Sequence, residues 1–143
     1  MKKILIIFLF LYPLTFYGQY YTGQRVFSKK FPQEIKNSNQ DTYIKINNVK
    51  GDIIVAVEDI NSKRVIQHAY IKSYDVYSFK NIPVGTYVCK YMWTDSSGKA
   101  HYEKDNSTMK FGVNEIGGYE ITLEETQFGN LSQSSISKDD FFN

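Results

Sequence analysis

The stretch Tyr77–Trp93, YSFKNIPVGTYVCKYMW, constrains this chain more than any other. Two runs rich in aromatic and β-branched side chains flank Asn81-Ile82-Pro83-Val84-Gly85. Proline fixes φ and has no N–H to give a ladder, while glycine accepts conformations that other residues avoid, so the pair marks a corner. Strand, tight corner, strand is the arrangement such a run predicts. In the second run Tyr87, Cys89, Tyr91 and Trp93 share one face, and Val88, Lys90 and Met92 share the other. An unpaired ammonium is costly to bury, so Lys90 is expected to face water and the Tyr87–Trp93 face to line a core.

The same period recurs along the chain. In Thr42–Asn48, Ile44 and Ile46 point one way and Tyr43, Lys45 and Asn47 the other. Asp52–Glu58 is apolar on both faces, with Ile53, Val55 and Val57 opposite Ile54 and Ala56; a strand covered on both sides, or one with an apolar outer face, reads this way. Arg64–Lys72 is expected to turn Val65, Ala69 and Ile71 inward and Ile66, His68, Tyr70 and Lys72 outward. Val76–Phe79 leads into the corner. His101–Phe111 reads as two short pairings around a loop at Lys104-Asp105-Asn106-Ser107, and Asn114–Gly118 as a turn. Tyr119, Ile121 and Leu123 then alternate in a last strand. About seven strands, close-set turns and no helical period predict a single all-β sandwich over residues 41–126. Residues 19–40 are expected to form an irregular arm with an edge strand at Gln24–Phe27, and residues 127–143 a partly ordered tail.

The first residues have a different character. Lys2-Lys3, an apolar run from Ile4 to Leu14 and a small residue at Gly18 describe a secretory signal peptide over residues 1–18, too short for the roughly 20 apolar residues of a membrane span. No cysteine follows the run, so no lipid anchor is expected, and the reading is a secreted or periplasmic protein. Of 17 basic residues two lie in this leader, which leaves 15 against 15 acidic ones. A neutral domain carries no electrostatic footprint for nucleic acid. Cys89 is alone, so no internal disulfide staples the fold and packing must hold it.

Catalytic and metal chemistry find little to use. Cys89 with a histidine would be a minimal nucleophilic pair, but it alternates on the predicted core face, where a free cysteine behaves as a small apolar residue. No His-x-His, Cys-x-x-Cys or EF-hand spacing occurs, and Glu58, Asp59, Asp95 and Asp105 read as solvated loop acids rather than a calcium site. A Lys–Asn isopeptide needs a buried lysine, whereas Lys45 points outward. No catalytic residue, metal or cofactor is therefore expected. The surface that stands out is the outer face of two neighbouring strands, where Ile54, Ala56, Ile66, His68 and Tyr70 gather. An apolar sheet face of this kind suits a protein partner, unless the chain covers it itself. Leu131, Ile136 and Phe141, five residues apart, are the plugs the tail offers. Twelve tyrosines, with Tyr43, Tyr70 and Tyr74 as candidate rings, make a glycan the alternative ligand.

The corner Tyr77-Ser78-Phe79-Lys80-Asn81-Ile82-Pro83-Val84-Gly85-Thr86-Tyr87 resembles the aromatic-x-Ile-Pro-x-Gly-x-Tyr corner of transthyretin-like, carboxypeptidase-regulatory-like sandwiches. Gly51–Glu58, Arg64–Lys72, Gly118–Leu123 and the tail residues Gly129-Asn130-Leu131, Ile136-Ser137 and Phe141 extend the resemblance to bacterial accessory modules over residues 41 to 142. The resemblance implies a Greek-key sandwich without catalytic function, of a kind often appended to other domains; here it stands nearly alone behind the leader. The expectation is an exported, noncatalytic module that works by contact with a protein partner in the envelope or outside the cell, or alternatively with a glycan.

Overall fold

The computed structural model describes residues 19–49, 51–124 and 133–143. The leader read over residues 1–18 and the plug Leu131 with its neighbours Gly129 and Asn130 lie outside them. Among the described residues nine strands follow in chain order: β1 (Asp41–Asn48), β2 (Ile53–Asp59), β3 (Arg64–Ile71), β4 (Val76–Lys80), β5 (Gly85–Thr94), β6 (Ala100–Asp105), β7 (Met109–Phe111), β8 (Ile116–Leu123) and β9 (Gln133–Ser135), with one short helix, α1 (Lys138–Phe142). They build an all-β sandwich of two packed sheets. The smaller has the order β4-β1-β8, and the larger β3-β2-β5-β6-β9, with β7 pairing the start of β5. β1 runs antiparallel to β4 and parallel to β8, so an early and a late strand of the sandwich lie side by side.

The alternation read from the sequence places the core. Ile44 and Ile46 from β1, Val55 and Val57 from β2, and Tyr87, Cys89 and Tyr91 from β5 meet between the sheets. Trp93 packs against this cluster at the end of its strand. The Pro–Gly corner is tied by the Tyr87 hydroxyl, which donates to the Pro83 carbonyl at 3.1 Å.

Lys90 corrects the sequence reading: it does not face water. Its face is covered by a second apolar layer in which Phe31 of the arm and Phe141 of α1 close over Ala56, flanked by Phe27, Ile54, Met92 and Phe142. The Lys90 ammonium sits against the Glu58 carboxylate, with only 3% and 2% of the two side chains exposed. It also donates to the backbone oxygens of Asp140 at 2.6 Å and Asn143 at 3.1 Å. The other Glu58 oxygen takes Lys104 at 2.9 Å. An unpaired ammonium would be costly to bury here, whereas a partnered one recovers much of its lost hydration.

The inward set of β3 is also corrected. Val57 pairs Gln67 but Glu58 pairs Val65, so Ile66 is the extra residue of a β-bulge. Ile66 turns into the main core and Val65 outward against the second layer. A strict period of two cannot reveal a bulge, because the inserted residue shifts the phase. Ala69 and Ile71 point inward as expected.

Gln24–Phe27 forms no strand; the arm runs through turns. Two bonds, from the Gly23 N–H to the Tyr70 carbonyl at 2.8 Å and from the Tyr70 N–H to the Gln24 carbonyl at 2.9 Å, fasten it to the edge of β3. The last long strand begins at Ile116, inside the segment expected to be a turn. In the tail, β9 adds to β6 and α1 starts at a capping box in which Ser137 and Asp140 satisfy each other's backbone N–H. Five residues are too few for a helix to stand alone in water, so packing holds α1 in place.

Phe141 is the anchor, with no exposed surface. Phe141→Ala is expected to cost about 3 kcal/mol, the lower end for a buried phenylalanine because a peripheral layer can partly collapse. The variant should unfold at lower urea and bind more hydrophobic dye in native buffer than the wild type. Equal dye binding would show that α1 does not cover the sheet in solution. Among the described residues no helix is long and apolar enough to cross a membrane.

Candidate functional site: a cleft between the arm and the large sheet

Where the arm ends its run across the outer face, a cleft of about 630 Å³ stays open, lined by Tyr20, Phe27, Ile54, Tyr70, Met92 and Trp93 with Asp52, Thr94 and Asp95. The ladder sets this end of the sheet. Ile53 pairs Trp93, Ile54 pairs Met92, and Trp93 in turn pairs His101 of β6. The indole and imidazole rings stack at 4.2 Å between centroids and 12° between planes.

The turn that follows β5 is organised by Asp95. One carboxylate oxygen accepts the Ser97 N–H at 2.9 Å, the Lys99 N–H at 3.1 Å and the Ser97 hydroxyl at 2.6 Å; the other meets His101 Nε2 at 2.7 Å. These bonds, His101 first and Ser97 next, hold the Asp95 carboxyl well below the usual carboxylate range. Across the cleft the Tyr70 hydroxyl donates to Asp52 at 2.5 Å, and the Ser73 N–H donates to the other Asp52 oxygen at 3.0 Å. Tyr70 and then Ser73 lower the Asp52 pKa, while burial and then Asp52 raise that of Tyr70. The Tyr20 ring meets Tyr70 edge-on at 5.4 Å. The Trp93 indole N–H, shielded from solvent, has no acceptor among the described residues.

The cleft combines aromatic rings with two acids. Four aromatic rings, Tyr20, Phe27, Tyr70 and Trp93, line the opening; Asp52 accepts one bond on each oxygen and keeps a lone pair on each for a ligand hydroxyl, whereas the acceptor sites of Asp95 are largely taken up by Ser97, Lys99 and His101. Neither carboxylate carries the raised pKa of a general acid.

Of the residues singled out in the sequence, Ile54 and Tyr70 line this cleft. Ala56 and His68 are buried beneath the arm, and Ile66 belongs to the main core. Ile136 is half-buried in the second layer and Phe141 wholly so. The apolar patch is thus covered by the chain's own arm and tail. Tyr43, Tyr70 and Tyr74 do not come together: Tyr43 lies on β1 of the small sheet, Tyr70 on the large one, and Tyr74 is a loop residue with 82% of its surface exposed.

Tyr20 and Asp52 are not singled out by the sequence, and Asp95 reads there as a solvated loop acid; Trp93 does pack against the core as its alternation predicts, and also lines the cleft. A strand running straight into Asp95-Ser96-Ser97-Gly98 is the one local signal for a ring at a rim. Cys89 is fully buried, and burial, then the nearby Asp105, push its thiol pKa up. Asp105 itself accepts from the Tyr91 hydroxyl at 2.7 Å, at the far end of β6 from the Asp95 turn. No three His, Cys, Asp or Glu side chains converge within metal-binding reach among the described residues. Set against known proteins, the chain matches no family model, no curated protein and no solved structure.

Proposed function

We propose that this is an exported, noncatalytic β-sandwich that holds a glycan in the cleft between arm and sheet. The observation that carries the reading is the combination of Tyr20, Tyr70 and Trp93 with Asp52 and Asp95 around one opening. A sugar ring presents an apolar C–H face to an aromatic side chain and its hydroxyls to a carboxylate acceptor, and the rings with Asp52 supply both. The neighbouring apolar face, the natural seat for a protein partner, is occupied by Phe31 and Phe141. The Ile-Pro-x-Gly corner favours placing the domain with the transthyretin-like, carboxypeptidase-regulatory-like accessory modules.

A protein contact in the envelope is the second reading. What favours it is the start of β8 and the turn before it, where Ile116 and Val113 leave 82% and 76% of their surfaces exposed beside an edge of the small sheet.

Trp93 is the single tryptophan, so its emission reports on the cleft directly. Titration of the protein lacking residues 1–18 with the oligosaccharides it captures from a glycan array should shift that emission. Tyr70→Ala should weaken the binding about tenfold, the loss of roughly 1.4 kcal/mol of ring contact. An array without a hit, or a hit whose affinity ignores Tyr70→Ala and Trp93→Ala alike, would refute the glycan reading.

A further inference from the structure

One side chain joins the arm to the sheet through chemistry that a proton can undo. The Phe27 backbone N–H donates to Nε2 of His68 at 3.1 Å. An imidazole that accepts at Nε2 carries its proton on Nδ1, and Nδ1 has no partner among the described residues. The ring is 3% exposed and lies edge-on to Phe31 at 5.1 Å between centroids. Val26 and Phe27, held down by this contact, are also part of the cleft lining.

We propose that His68 is an acid-operated latch on the arm: protonation of Nε2 destroys the acceptor for Phe27, lifts residues 25–31 from the sheet and removes one wall of the cleft. A proton taken from solvent turns the only acceptor into a donor facing the Phe27 N–H. The imidazolium then lies under an aromatic roof with neither N–H satisfied. The groups around the ring add little help. Arg25 in the arm disfavours the cation and Glu34 favours it. Across the ladder His68 pairs Ala56, and Ala56 pairs Lys90, whose charge is already met by Glu58. On α1 the acids are Asp139 and Asp140 of the first turn, and Asp140 is engaged by Ser137.

Burial first, then Arg25, brings the His68 pKa down from 6.5 to about 4 with the arm in place. The lifted state regains the ordinary value. The docked arm is therefore favoured most above pH 6.5, and its advantage falls as the pH drops toward 4. Two titrations at 6.5 and 4 raise the lifted population about 30-fold at pH 5 relative to pH 8. Only the consequence for ligand rests on the cleft being the binding site; the latch itself does not.

Amide hydrogen exchange on the ligand-free wild-type protein isolates the two claims. After correction for intrinsic exchange, protection of Phe27 and Phe31 should fall at least tenfold between pH 8 and pH 5, while amides in β2 and β5 keep theirs. His68→Gln, whose side-chain oxygen can accept but not titrate, should flatten that profile. Phe27 protection that follows β5 across the whole range, or a drop of the same size in a folded His68→Gln, would overturn the latch. Loss of glycan binding in every cleft variant bears on the function and leaves this result standing.

Discussion

Gly118→Ala is expected to leave no folded protein. Gly118 lies in β8 opposite Tyr43, within the parallel ladder that joins β8 to β1. A Cβ at this position would lie 1.8 Å from the Tyr43 carbonyl oxygen and 2.7 Å from its carbonyl carbon. Both atoms are main chain, so no side-chain rotation relieves the overlap. The strands would have to separate, and with them Ile121 and Leu123 would leave the core. A parallel strand pair has no hairpin to keep it together once its contacts fail. The cost, a lost ladder and two core side chains, is of the order of the whole stability of a domain, about 5–15 kcal/mol. Circular dichroism and a one-dimensional proton spectrum decide the matter. Gly112→Ala is the control, because its added methyl meets only Glu115 at 3.5 Å. A Gly118→Ala protein with a wild-type spectrum and unfolding midpoint would show that β8 does not pair with β1 through this glycine.

The second large effect is expected at Glu58. This carboxylate is the shared partner of Lys90 and Lys104, and Lys90 is buried. Removing one member of a buried pair strands the other, at a cost of about 3–5 kcal/mol, whereas exchanging both for apolar residues of similar size is often neutral. Glu58→Leu should therefore be the most damaging change in the cluster. Lys90→Met is milder, because Glu58 keeps Lys104 at its accessible end. The double variant should recover much of the loss, a non-additivity that a double-mutant cycle measures directly. Urea unfolding with an unchanged slope reads each step. Equal midpoints for wild type and Glu58→Leu would mean that the Lys90 ammonium finds its stabilisation elsewhere.

Lys90 also marks the boundary of what the sequence could reveal. The alternation in β1, β2 and β5 was sufficient to place Ile44, Ile46, Val55, Val57, Tyr87 and Tyr91, since a half-buried strand must show a period of two. The apolar outer face of β2 was legible too, as was the supply of plugs in the tail, of which Phe141 is in place. What failed were inferences about one residue made without its neighbours. Lys90 was judged as an isolated charge, although Glu58 sits two register positions away on β2. Ile66 was placed by counting along the strand, and its own position as the extra residue of the bulge broke the count. The cleft was hidden for another reason. Tyr20, Asp52, Tyr70 and Trp93 belong to the arm, a turn and two different strands, and only the tertiary pairing sets them side by side. Sequence periodicity carries no information about that meeting. The edge strand expected at Gln24–Phe27 came close: the segment does bond to β3, but through two backbone contacts at Tyr70 and then the imidazole, not through a continued ladder.

The second apolar layer imposes an order of events on synthesis. A chain that emerges N-terminus first has β2, β3 and β5 in hand, and the arm ready, long before residues 138–142 arrive to seal them. Until then the outer surface around Ala56 stays half roofed, and Lys90 lacks the backbone oxygens of Asp140 and Asn143. Any chain cut upstream of α1 shares that bare hydrophobic strip and an under-solvated cation.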